Sequence, residues 1–189
     1  MPSTRQLTRF GSAAAVLAGA LSLAAPVAAQ SPIPSEFGIG SRLAVRFGVA
    51  LLINLVLGGL LVALAPDYAR KTVGAIRDDP GSAFLWGLLV GIAVPIGLVL
   101  VALTIIGLLI TIPGLLFLAV LGIVGNAVTI CWIGALLTGD AVDAAAVGAG
   151  AFVLALVAAV PVLGNLATTL VGFFGLGVVG RDLYRSWQG

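Results

Sequence analysis

The chain has 189 residues, of which 61% are hydrophobic and 8% charged, and nine Lys or Arg stand against seven Asp or Glu. Soluble domains carry about 25% charged residues, so this is a membrane composition, and a formal charge of +2 is too small a margin to argue for nucleic acid. The absence of His removes the usual general base and the commonest metal ligand. The single Cys131 leaves no intrachain disulfide and no thiolate metal site. The expectation is a protein that is not an enzyme and has no cofactor, metal or nucleic acid.

Residues 1–29 read as a secretory signal peptide. Arg5 and Arg9 make its positive start, 13–25 its apolar stretch, and Val27-Ala28-Ala29 supplies small residues for cleavage after Ala29. The alternative is an uncleaved first anchor. Residues 30–41, with Pro32, Pro34, Gly38 and Gly40, form a short extracytoplasmic linker.

The first span is expected over 42–65. It is apolar from 47 onward except for Asn54, and Arg42 and Arg46 at its outer end can snorkel to the headgroups. Residues 66–82 hold the densest charge. There Ala69, Val73 and Ile76 share one helical face, while Arg70, Lys71 and Arg77 project elsewhere. This pattern predicts a short amphipathic helix at the membrane interface. Pro80-Gly81 turns the chain back, with Ser82 as the expected N-cap.

Residues 83–138 run 56 positions without a charge. As one helix they would extend about 84 Å, against a hydrocarbon core of about 30 Å. Two spans and a turn are expected: 83–110, kinked by Pro95 and Gly97, and 114–137. The break is placed between Gly107 and Pro113-Gly114, because proline neither donates in a helix interior nor favours helix before it. A polar loop follows at 139–143. The second uncharged run, 144–180, is split by Pro161, Gly164 and Asn165 into two short helices, 144–160 and 163–180. These are either two thin spans or a re-entrant hairpin. Residues 181–187 close the chain as an interfacial tail anchored by Tyr184 and Trp187.

The fold class expected is an all-α integral membrane protein: a bundle of three clear transmembrane helices, a C-terminal pair of short helices and a short interfacial amphipathic helix. Its bilayer orientation follows from charge. With the mature N-terminus outside, Arg70, Lys71, Arg77, Arg181 and Arg185 lie inside, against Arg42 and Arg46 outside, as the positive-inside rule requires.

Three groups of residues are candidates for function. Pro95, Gly107, Pro113, Gly114, Pro161 and Gly164 break or pack helices. Asn54, Asn126 and Asn165 are polar groups inside the membrane, read either as interhelical hydrogen bonds of about 0.6 kcal/mol each or as the lining of a small-solute path. Arg70, Lys71, Arg77, Arg181 and Arg185 are interfacial contacts for a partner or anionic lipid. The small-residue pair Gly87 and Gly91, with Gly172, Gly175, Gly177 and Gly180, marks either close packing within the chain or a homo-oligomer seam.

In order, Pro66, Arg77-Asp78-Asp79-Pro80-Gly81, Pro95, Leu103-Thr104-Ile105-Ile106-Gly107, Ile112-Pro113-Gly114, Val160-Pro161-Val162-Leu163-Gly164-Asn165 and Gly175-Leu176-Gly177 resemble a known arrangement. It is the multi-span domain that accompanies bactofilin-like polymer-forming domains in exported bacterial and archaeal membrane proteins. The resemblance implies a membrane anchor or scaffold module. It brings no catalytic residues, and 30–41 leave no room for the β-helical polymer-forming domain. The expected function is a non-enzymatic anchor or scaffold of the cell envelope, bound to the bilayer and to itself or an envelope protein. The alternative is a small channel or permease using the broken helices.

Overall fold

The computed structural model describes residues 38–139, 141–160 and 162–188. The expected signal peptide, most of the expected linker, Asp140, Pro161 and Gly189 lie outside the described residues. Every described element is helical and no strand occurs among them. The helices are α1 (Ile39–Leu64) and α2 (Pro66–Asp78), then α3, which runs Pro80–Leu88, a π turn Leu89–Ala93 and Val94–Ala102. They continue with α4 (Ile105–Thr138), α5 (Ala144–Ala159) and α6 (Leu163–Gln188). The chain divides into two units, 1–45 and 46–189. The described part of the first is the opening of α1, where the Ser41 hydroxyl donates to the Gly38 carbonyl at 2.8 Å. Helix therefore starts inside the expected linker.

Four helical stretches are long and apolar enough to cross a membrane: Ile39–Leu64, Pro80–Ala102, Leu109–Thr138 and Leu163–Gln188. α5 is apolar but has only 16 residues, about 24 Å. The protein is thus compatible with multi-pass insertion.

The first helix break lies elsewhere than the sequence suggests. α3 ends at Ala102, and Thr104, in extended conformation, caps α4 by accepting from the Gly107 N–H at 2.9 Å. Pro113 and Gly114 sit inside α4. A proline there removes one backbone bond. In hydrocarbon a full turn would strip several, so the helix runs through. Gly107 belongs to the turn after all, because a Cβ at this position would overlap the Val101 carbonyl oxygen.

The second turn repeats this chemistry. A Cβ on Gly164 would overlap the Val157 carbonyl oxygen. Thr111 and Thr168, each four residues after its glycine, donate to the Gly107 and Gly164 carbonyls at 2.8 Å. Val162 takes the left-handed backbone, φ 65°. Two hairpins, α3–α4 and α5–α6, are thus closed by the same pattern of glycine, leucine (Leu109, Leu166) and threonine.

The C-terminal pair is not two short helices, because α6 has 26 residues and carries the polar tail as helix. A charge marks the edge of hydrocarbon, not the end of a helix. Arg181 remains helical and only 9% exposed, with its side chain laid back against α3. Around Pro95 the helix widens into the π turn Leu89–Ala93, which relieves the clash of a proline ring with the preceding turn.

The core lies in the half of the bundle next to α2. Val73 packs with Cys131, Ala135, Ala146 and Val147. Ile76 packs with Ala83, Val128, Val178 and Val179. Close helix crossings hold it together. A Cβ on Gly177 would overlap the Ala83 carbonyl oxygen, one on Gly87 that of Phe173, and one on Gly175 that of Gly125. Gly91 faces the Phe173 ring, whereas Gly172 faces open space. The glycine-rich faces of α3 and α6 are therefore occupied within the chain, by each other and by α4. Val94–Ala102 contains no buried residue.

Candidate functional site

The polar side chains gather where α2, the start of α3, the loop before α5 and the end of α6 meet. α2 starts with Pro66 at its first position, which suits a fixed φ and a missing donor. Its Ala69, Thr72, Val73 and Ile76 are buried against clusters built from α4, α5 and α6. The apolar face predicted for this segment is real, but the protein's own helices cover it. Its charged face is left outward.

Ionic contacts between elements tie this end together. Lys71 Nζ donates to Asp182 Oδ1 at 2.6 Å, joining α2 to α6. Arg181 donates to Ser82 Oγ at 3.1 Å and lies 3.8 Å from Asp79, joining α6 to the start of α3. Arg70 donates to Asp67 at 3.1 Å on the surface, where such a pair is worth about 0–1 kcal/mol. Asp79, and not Ser82, is the N-cap of α3, accepting from the Ser82 N–H at 3.0 Å. Asp143 caps α5 by accepting from the Ala146 N–H at 2.8 Å. Tyr68 is half-buried, and that burial, with the Asp182 carboxylate adding to it, pushes its phenol up to about 12.

Between α2 and the loop before α5 lies an open cleft of about 420 Å³ lined by Arg70, Val73, Gly74, Arg77, Ala141, Val142 and Asp143. Of the five cations singled out by sequence, Lys71 and Arg181 thus join helices through Asp182 and Asp79, while Arg70, paired with Asp67, lines the cleft with Arg77. Arg185 is exposed further along α6, near Tyr184 and Trp187, which is 83% exposed. Asp67 stands four residues before Lys71, an ion-pair spacing in the sequence, but it pairs with Arg70 instead, and Asp79 and Asp182 are partners the sequence reading did not find. The Asp-Pro-Gly-Ser signal at 79–82 identifies Asp79 as a cap, but no local signal reveals that residue 71 meets residue 182. No group of three or more His, Cys, Asp or Glu able to hold a metal occurs among the described residues.

The three asparagines do not converge. Asn54 is buried in α1 and Asn126 partly buried in α4, while Asn165 is exposed at the start of α6. Most threonines bond to their own helix, Thr129 to Gly125 at 2.9 Å for example. Thr111 alone among those hydroxyls also reaches a second helix, donating to the Leu98 carbonyl at 3.1 Å. The helix-break candidates are scattered along α3, α4 and the second turn, with Pro161 outside the described residues. They close hairpins and do not line a common path.

No curated protein and no solved structure matches the chain. One family model does, described as a domain of unknown function (DUF8173), over residues 1–188. With almost its whole length matched, the chain belongs to the DUF8173 family.

Proposed function

We propose that this protein is a non-enzymatic anchor or scaffold of the cell envelope, held in the cell membrane by α1, α3, α4, α5 and α6, with the N-terminal side outside and the polar end cytoplasmic. One observation carries the reading. Residues 83–138 and 144–180 contain no charged side chain, and every described charge from Asp67 onward lies at the polar end. A proton- or ion-coupled mechanism uses ionisable groups within the spans, and here such groups are confined to a platform suited to contact. α2 lies in the headgroup layer on this reading, as a rigid part of the bundle and not a floating amphipathic helix. The short α5 thins the bilayer locally, at a modest cost per ångström of mismatch.

The partner on this reading is an envelope protein bound at exposed residues of the polar end, Arg70 on α2 and Tyr184, Arg185 and Trp187 on α6. A second copy docked along the glycine faces is disfavoured, because those faces are filled. The test is photo-crosslinking of the full chain in native membranes from a probe replacing Trp187, compared with one replacing lipid-facing Leu116. A single envelope protein should crosslink from position 187 only, and Arg70→Ala with Arg185→Ala should abolish the product. Equal crosslinking from both positions, or solute flux through the purified chain in vesicles, defeats the anchor reading.

A further inference from the structure

The cleft beside α2 brings two cations onto one glycine. Arg70, Gly74 and Arg77 stand at i, i+4 and i+7, which places them on one helical face. The two arginines are about 10.5 Å apart along the helix axis, with Gly74 between them. All three line the open cleft of about 420 Å³, and its other wall is the loop before α5 with Ala141, Val142 and Asp143. That volume lies within the range of small-molecule sites, about 300–1,000 Å³.

The packing does not account for Gly74. It sits inside α2, where only proline is a poorer helix former, and a Cβ on it would meet nothing within 4 Å. Gly87 and Gly177 differ, because a Cβ on either would overlap the backbone of another helix. The missing side chain of Gly74 instead leaves an open floor and accessible backbone between two guanidinium-bearing residues.

The lining carries two cations and one carboxylate, an excess suited to an anion. Asp143 already accepts from the Ala146 N–H as the cap of α5. The Arg70–Asp67 pair is open to water, with side chains 62% and 97% exposed, so it is weakly held. A guanidinium matches phosphate oxygens two at a time. The cleft lies at the end of the bundle where the uncharged runs 83–138 and 144–180 give way to charge, the depth at which basic residues meet anionic headgroups.

We propose that this cleft holds the phosphate of an anionic phospholipid, with Arg70 and Arg77 on its oxygens and the Gly74 backbone as its floor. Lipid is the source, and not soluble phosphate, because headgroup phosphates are concentrated at this depth and the cleft wall includes the apolar Ala141 and Val142. The inference rests on the anchor reading only for the place of α2 in the headgroup layer. It needs no envelope partner.

The full chain is purified in a non-ionic detergent, and bound lipid is counted by native mass spectrometry. Separate samples receive phosphatidylglycerol, phosphatidylcholine or glycerol phosphate. One phosphatidylglycerol should stay bound at concentrations where phosphatidylcholine does not. Arg70→Ala, at an exposed position, should weaken that adduct about fivefold or more. Gly74→Leu, which fills the floor and keeps both cations, should do the same. Arg185→Ala removes an equal charge elsewhere on the polar end and should change the adduct less than about twofold. An undiminished adduct in Gly74→Leu, or equal loss in Arg185→Ala, makes the attraction diffuse and overturns the site. Equal retention of the two lipids overturns it as well. Glycerol phosphate bound where phosphatidylglycerol is not makes the ligand a soluble anion and overturns the lipid assignment. Should Gly74→Leu lose helix by circular dichroism, Arg70→Glu decides alone, and an undiminished adduct there sinks the proposal. Crosslinking from position 187 in native membranes is a separate readout, so loss of the envelope partner and loss of the lipid site are told apart.

Discussion

Gly177 offers the sharpest test of the packing. It sits where α6 crosses α3, and a Cβ placed on it would overlap the Ala83 carbonyl oxygen and lie 2.5 Å from the Gly87 nitrogen. Both obstacles are backbone, so no rotamer change relieves them and the two helices must move apart. Overpacking of this kind costs about 1–3 kcal/mol. Gly172, five residues earlier on the same helix, meets nothing within 4 Å, and alanine there gains up to about 1 kcal/mol of helix propensity. Gly177→Ala and Gly172→Ala should therefore act in opposite directions and differ by about 1–4 kcal/mol. Unfolding in detergent, followed by circular dichroism against added SDS, measures the difference. If Gly177→Ala unfolds with Gly172→Ala, α3 and α6 do not cross as described and the glycine faces are open to another partner.

Two further outcomes follow from the polar end and the first turn. The Tyr68 phenol is raised to about 12 from an ordinary value of about 10. Its neutral form therefore contributes stability that is complete below pH ~10 and lost as pH rises towards ~12. Tyr68→Phe should flatten the stability profile in that window. A profile with no fall above pH ~10 contradicts the burial of Tyr68. At the turn, Thr104→Val removes the cap of α4 and should destabilise by about 1 kcal/mol, whereas Pro113→Ala should be neutral or stabilising because it restores a helical donor. The reverse order of the two effects, read by the same unfolding assay, would return the turn to Pro113.

The packed interior also limits how the charged end can be probed. Lys71 holds Asp182 and Arg181 holds Ser82, so neutralising either cation loosens α2 or α3 from α6 along with any partner contact. Arg70 and Arg185 are exposed and carry less of this structural burden. This is why the contact test rests on them.

Composition and charge spacing alone determine that the chain is helical, that its charges sit at segment ends, and that 69, 73 and 76 form an apolar face. These are consequences of hydrocarbon as solvent, which forces backbone groups into helices and expels charge. What covers that face, where the first hairpin turns, and how far α6 runs were decided by tertiary structure. Pro113 is a strong local breaker, yet its lost bond is a smaller penalty than opening a turn in lipid, and Thr104 with Gly107 makes the turn at less cost. The ion pair between Lys71 and Asp182 depends on which helices lie side by side. Periodicity within one helix is blind to that, because the contacts that choose the neighbours are glycines meeting backbone atoms of other helices, Gly177 against Ala83 and Gly175 against Gly125 among them.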